Sequence, residues 1–193
     1  MTAGPKNIVI IGSSTGGPRV LERVFDNLPR LNASVVVVHQ MVKMMNNLLR
    51  ERIAAATKMD VVVAENMMSL EHGKVYVAPS EVHLCVVGNT MIQLSEGERR
   101  NRVRPSVDVT MESLKASPGT KLVGVILTGA GQDGAAGIAH MKGIGGITIA
   151  QDEKSSPVAG MPKAAIDSGK VDLVLDPEVI GVKLLEVMGL IKS

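Results

Sequence analysis

Tryptophan is absent from these 193 residues, and Phe25 and Tyr76 are the only aromatic side chains. A chain so poor in rings has no stacking platform for single-stranded nucleic acid. A net charge of only +2 gives no reason to expect a polyanionic partner either. Cysteine is nearly missing as well. Cys85 stands alone, which excludes an internal disulfide and any multi-cysteine metal site. Its setting, HLCVV, reads as an apolar strand in which the thiol is an inert packing group. No apolar run approaches the roughly eighteen residues that cross a bilayer, and MTAGPKN lacks the basic start and apolar stretch of a signal peptide. The expectation is a soluble cytoplasmic protein with no nucleic-acid partner and no membrane insertion. Apolar residues are plentiful, at 45%, enough for a substantial core in one domain spanning residues 1–193.

Short β-branched runs alternate with helical segments, the pattern of a doubly wound α/β fold whose mostly parallel sheet is flanked by helices. Strands are predicted at 8–11, 34–39, 60–64, 121–127, 146–150 and 171–175. Helices are predicted near 18–28, 43–56, 106–116, 133–143, 159–168 and 177–188. SVVVVH and KLVGVIL are apolar without alternation, as strands buried on both faces must be, and so belong at the centre. Between Lys74 and Ser95 the rhythm changes: VYVAP and HLCVV precede Gly88-Asn89, and TMIQLS follows, which predicts an antiparallel hairpin at one edge of the sheet. Met41, Met44, Met45, Leu48 and Leu49 fall at helical spacing and read as a core-facing stripe. The most charged stretch, EGERRNRVRP at 96–105, reads as a solvated loop.

The stretch IVIIGSSTGGP, residues 8–18, carries the chemistry. A dinucleotide loop would need a middle glycine where Ser14 stands and an acidic residue near the end of the second strand, which ends instead in His39-Gln40. A P-loop needs a lysine after its glycines, and none is present. Gly12-Ser13-Ser14-Thr15-Gly16 does satisfy G-x-S-x-G, the strand-to-helix elbow that lifts a serine hydroxyl above the sheet. Pro18 suits the first turn of the helix that follows, and serines that merely cap that helix are the plainer alternative. A nucleophilic serine needs a base and an orienting acid, drawn in an open sheet from the carboxyl ends of neighbouring strands. His39 closes one such strand. Asp133 follows another through GAGQDG, although it also suits the N-cap of the helix GAAGIAHM. The residues thus nominate Ser14, His39 and Asp133, with the oxyanion held by backbone amides beside Ser14 or near Gly129 to Gly131. No metal or organic cofactor is expected.

In order along the chain, IGSSTGGP, VYVAPSEVHL, VRPSVDVT, GVILTGAGQDGAAG and GMPKAAIDSG resemble the catalytic domain of the CheB family of protein-glutamate methylesterase/glutaminases. The resemblance implies a hydrolase that removes γ-glutamyl methyl esters from chemotaxis receptors and deamidates receptor glutamines, with Ser14 as nucleophile and Asp133 as the acid that orients a histidine. It also implies methyl-accepting receptors as partners of a monomeric domain. The family's N-terminal receiver domain has no counterpart in these residues and would belong to a longer chain. At the base the sequence departs from the family. Gln-His-Met is the family order, whereas this chain has His39-Gln40-Met41, so an ungapped alignment sets Gln40 on the catalytic histidine. His39 replaces that base only if the strand has ended or slipped by one residue. The family's Pro-x-Gly-Phe is replaced by Val42 to Met45, and Ala130 stands for a methionine. His83 matches a family histidine near the rim. Two other readings follow: a receptor-binding module without the chemistry, docking through Arg99, Arg100, Arg102 and Arg104, and, third, a nucleotide-binding module.

Overall fold

A computed structural model describes residues 7–41 and 45–192. The reading of the N-terminus, for residues 1–6, and the roles given to Val42, Lys43 and Met44 lie outside the described residues. Strands β1 (Asn7–Ser13), β2 (Ser34–His39), β3 (Asp60–Val63), β4 (Lys74–Val77), β7 (Lys121–Ile126), β8 (Ile147–Gln151) and β9 (Leu173–Leu175) form one sheet in the order β3-β4-β2-β1-β7-β8-β9. Every pairing in it is parallel. The two runs without alternation lie inside it as expected. β2 is buried along its whole length, and β7 everywhere except Lys121 at its start.

Because side chains alternate across a parallel sheet, each strand feeds two cores. Odd-numbered residues of β1 and β2, such as Val9, Ile11, Val35 and Val37, pack with α1 (Gly17–Phe25), α2 (Asn46–Ala56) and α6 (Pro177–Val187). Even-numbered ones, such as Ile8, Ile10, Val36 and Val38, pack with α3 (Val107–Glu112), α4 (Ala135–Gly143) and α5 (Gly160–Asp167). The second layer also contains β5 (His83–Val87) and β6 (Met91–Ser95), antiparallel to each other. The expected hairpin exists, but as a two-stranded sheet of its own; VYV, read with it, forms β4 between β3 and β2. Leu84, Val86 and Ile92 are more useful buried over the even-numbered core than exposed on an edge strand. Cys85, on β5, is half-buried, and burial pushes its thiol pKa up, as an inert thiol requires.

The methionine stripe faces the core only in part. Leu49 is buried and Met41 packs against the same core, whereas Met45 and Leu48 are 39% and 44% exposed. α2 begins at Asn46, so its inward face is set by Leu49 and Ile53. Chain direction across the sheet reverses between β1 and β7, with β2 and β4 on one side and β8 and β9 on the other. A ligand crevice in an open α/β sheet opens at the carboxyl ends of the strands at such a switch point. The loops after β1, β2 and β7 meet there.

Candidate active site

β1 ends at Ser13, and the chain turns through Ser14 and Thr15 into α1. The Ser14 amide donates to the Thr128 carbonyl at 2.9 Å, and the Gly17 amide donates to the Ser14 carbonyl at 2.8 Å, pinning the elbow to the end of β7. Gly16 takes φ 81°, a left-handed backbone that side chains rarely adopt. A Cβ there would also lie 2.8 Å from Pro157. Across the crevice a Cβ on Gly129 would come within 2.8 Å of the Ser14 Cβ, so glycine is what lets the serine side chain sit over the β7 loop. Ser14 is half-buried and Thr15 exposed, the disposition of a hydroxyl at a surface crevice. The elbow is present.

The oxyanion donors are narrower than the sequence reading allowed. The amides of Ser14 and Gly129 are taken by the carbonyls of Thr128 and Val158. Those of Thr15 and Gly16, at the start of α1, and of Ala130 and Gly131 in the loop after β7, make no hydrogen bond among the described residues. They are the donors left for a developing negative oxygen.

The expected convergence of Ser14, His39 and Asp133 is not what the strand ends present. Ser13 and His39 are register partners on neighbouring strands, both odd-numbered, and face the α1 layer together. The Ser13 hydroxyl and His39 Nδ1 are 2.8 Å apart, with His39 only 5% exposed. Gly17 has no room for a side chain: a Cβ would lie 2.7 Å from the imidazole. Burial lowers the His39 pKa to about 4, against an opposing contribution from hydrogen bonding to Ser13. The ring is a neutral packing group.

Gln40, one residue on, faces the other layer. Its Nε2 donates to Asp133 Oδ2 at 2.7 Å, and its backbone amide donates to the Ser13 carbonyl at 3.1 Å, so the strand runs on without a slip. His39 therefore does not meet Asp133, and the amide stands beside the acid. The physical reason is the alternation of side chains along an extended strand, which separates residues 39 and 40 by the thickness of the sheet.

Asp133 sits in a nest of donors. Besides Gln40 it accepts from the Ser106 hydroxyl at 2.7 Å and from the amide of Val107 at 2.7 Å. The Asp108 amide and Asn101 Nδ2 approach at 3.3 Å. Asp133 is not the N-cap it resembled in sequence. Gly134 occupies that position, and the carboxylate at the start of α4 is Asp108, which accepts from the amides of Gly134 and Gly137 at 2.9 and 2.7 Å. Burial raises the Asp108 pKa, and the neighbouring Asp133 charge adds to this against the two amides. Asn101 Nδ2 links the acids by donating also to Asp108 at 2.8 Å.

Asn101, Ser106 and Asp108 were missed as site residues. Ser106 had a local signal, since it caps α3 by accepting from Val109. Its contact with Asp133 spans 27 residues and had none. Nor is 96–105 simply a solvated loop. Asn101 and Arg102 adopt left-handed backbone, at φ 52° and 67°, and turn back toward the acids. His83 braces this loop from beneath: Nε2 is 2.9 Å from the Glu98 carbonyl, and Nδ1 accepts the Ser106 amide at 3.2 Å. A cleft of about 360 Å³ is left between Gln40, Asn101, Arg102, Ala130, Gly131 and Asp133. Among the described residues no group of three or more His, Cys, Asp or Glu side chains could hold a metal ion.

Native His39 takes up its proton near pH 4 whereas an unfolded histidine does so near pH 6.5, so between these values the unfolded chain binds more protons. His39 should therefore add full stability above about pH 6.5 and lose about 3 kcal/mol of it as pH falls through 4. Denaturant titrations from pH 7 to pH 4 should show that slope in the natural chain and a shallower one in His39→Gln. Equal slopes would mean that the ring is open to water.

Compared with known proteins, residues 9–184 match the family model for CheB methylesterase. The chain is 40% identical over 189 residues to a protein-glutamate methylesterase/protein-glutamine glutaminase of Pyrococcus abyssi, covering 96% of this chain and 51% of that protein. It is 38% identical over 185 residues to the protein of the same name from Thermotoga maritima, covering 94% of this chain and 54% of that one. The crystal structure of the Thermotoga maritima CheB methylesterase catalytic domain superposes with a TM-score of 0.87 at 36% identity, over 98% of this chain and 100% of that domain. The chain thus spans about half the length of the curated relatives it matches. Elbow, acid-bearing loop and parallel sheet agree with that kinship: this chain belongs to the CheB methylesterase family.

Proposed function

We propose that this domain acts on glutamyl and glutaminyl side chains, the residue types in its relatives' names, that these belong to chemotaxis receptors, and that Ser14 is the attacking hydroxyl. The reaction is acyl transfer. Ser14 Oγ bonds to the glutamyl carbonyl carbon, methanol leaves from an ester or ammonia from an amide, and water then releases the carboxylate. The observation that carries this reading is Ser14 itself, half-buried on an elbow tied to Thr128 at the switch point of the sheet, with the amides of Thr15 and Gly16 beside it. The reading includes a cytoplasmic, monomeric domain, with a receiver domain in a longer chain as its regulator. No helix among the described residues is long and apolar enough to cross a membrane.

A second reading, receptor binding with little turnover, is favoured by the bond from Gln40 to Asp133. An amide takes no proton from serine at any physiological pH, and the imidazole nearest in sequence is buried in the opposite layer. The direct test is methanol release from a methylated receptor by the natural chain and by Ser14→Ala. Release that vanishes with the hydroxyl supports turnover. Binding without release from either form leaves the second reading, and neither binding nor release removes both.

Docking through the basic run reduces to one side chain. Arg99 pairs with Glu81, Arg100 with Glu112, and Arg104 donates to the carbonyls of Glu96 and Gly97. Arg102, exposed on the lip of the cleft, makes no such bond with the described residues. Arg102→Ala should weaken receptor binding severalfold and flatten its salt dependence, while Arg99→Ala changes little. Affinity indifferent to ionic strength in the natural chain would discard the contact.

A further inference from the structure

We infer that Gln40 makes the cleft selective for primary carboxamides, so that a receptor glutamine is held more tightly than the glutamyl methyl ester at the same position. The inference rests on the proposed action on receptor glutamyl side chains and adds that such a side chain enters the cleft lined by Gln40 and Asp133. A primary amide has one donating end and one accepting end. The Asp133 carboxylate offers acceptors only, and its Oδ2 takes the Gln40 NH2 at 2.7 Å. Gln40 cannot reverse without turning a carbonyl oxygen onto a carboxylate, so its orientation is fixed. The other end, Oε1, makes no hydrogen bond with the described residues, and it is not among the buried unpartnered atoms, so it is open to the cleft that Gln40 lines. Where a catalytic imidazole would present a ring nitrogen, this chain presents a bare carbonyl acceptor.

Complementarity then sorts the three states of a receptor side chain. A glutamine brings two N–H donors, one of which satisfies Oε1. A methyl ester has no donor and leaves Oε1 desolvated and unpaired. A glutamate carboxylate meets a carbonyl oxygen backed by Asp133, a like charge. The order expected is glutamine, then ester, then glutamate.

The probe is a receptor signalling fragment carrying glutamine, glutamate γ-methyl ester or glutamate at a single adaptation position. It is titrated into this chain bearing Ser14→Ala, so that nothing turns over. The glutamine form should bind about tenfold more tightly than the ester. In a chain that also carries Gln40→Met, which keeps length and removes both polar ends, the two should bind within twofold of each other. Equal affinities in the Ser14→Ala chain, or a tighter ester, would overturn the selectivity while the receptor reading stands. A tenfold preference that survives Gln40→Met would overturn it too, by putting the discrimination elsewhere. Binding of none of the three removes the receptor reading along with it. The first comparison needs no change at residue 40, so a misfolded Gln40→Met chain would not shelter the inference.

Discussion

Gln40→His is expected to raise methanol release from methylated receptor on the order of 10³-fold, the largest gain any single exchange in this chain should give. An imidazole at residue 40 would inherit the place of an amide now 2.7 Å from Asp133 Oδ2, on the same layer as the acid. It could donate one ring N–H to that carboxylate and leave its other nitrogen free to accept a proton, which is the division of labour a serine triad requires. Positioned general-base catalysis contributes roughly 10² to 10⁴ in rate, and no other described side chain of the site supplies it. The measurement is methanol release under saturating receptor by Gln40→His, by the natural chain and by the double variant Gln40→His/Ser14→Ala. A gain that vanishes with Ser14 locates the base beside the elbow. Unchanged release in Gln40→His would mean that proton transfer is not what limits this domain. His39→Ala should leave the rate of Gln40→His intact, since that ring faces Ser13 across the sheet.

Asp133→Ala should cost about 3–5 kcal/mol of folding stability. The carboxylate is 2% exposed and takes close hydrogen bonds from Gln40, the Ser106 hydroxyl and the Val107 amide. Truncation leaves those donors facing a void, and a buried donor without a partner costs about 1–3 kcal/mol by itself. The loss would be felt at two elements. Ser106 caps α3, Val107 begins it, and Gln40 leads out of β2, so one acid ties its own loop to α3 and to β2. Asp133→Asn keeps one oxygen but turns an NH2 toward donors, and should fall between. Denaturant unfolding of the three proteins decides it. A loss under about 1 kcal/mol for Asp133→Ala would mean that water replaces the carboxylate freely and that the nest does not organise the rim.

Much of this molecule was legible before any coordinates. Unbroken Val and Ile runs specify strands buried on both faces, and the predicted strands at 8–11, 34–39 and 60–64 fall on β1, β2 and β3 to within a residue or two at their ends. The elbow was legible because a sharp strand-to-helix turn demands small residues, and Gly16 and Pro18 announce it. The hairpin was legible from Gly88-Asn89, but not its place. Nothing local in HLCVV or TMIQLS says whether Leu84 and Ile92 pair with a sheet edge or cover a core.

The acid nest was harder to read because its members lie far apart. Gln40, Asn101, Ser106 and Asp133 come from four loops or helix starts, and their bonds cross between 27 and 93 residues of chain. Local propensity weighs neighbours within a turn or two, so for Asp133, the nominated acid, the local alternative it offered was a cap on the nearest helix. Folding gave that duty to Asp108 instead.

The amino-acid order by itself determined the α/β class, the central strands, the serine elbow and the presence of a histidine and a glutamine side by side at the end of β2. Which of those two would stand beside Asp133 was decided only by the tertiary structure. A strand sends consecutive side chains to opposite faces, and the face on which α3 and α4 pack is the one that carries the acids; unbroken pairing of β2 with β1 through Ser13 and His39 sets the parity, so the imidazole goes under α1 and the amide goes to the acid.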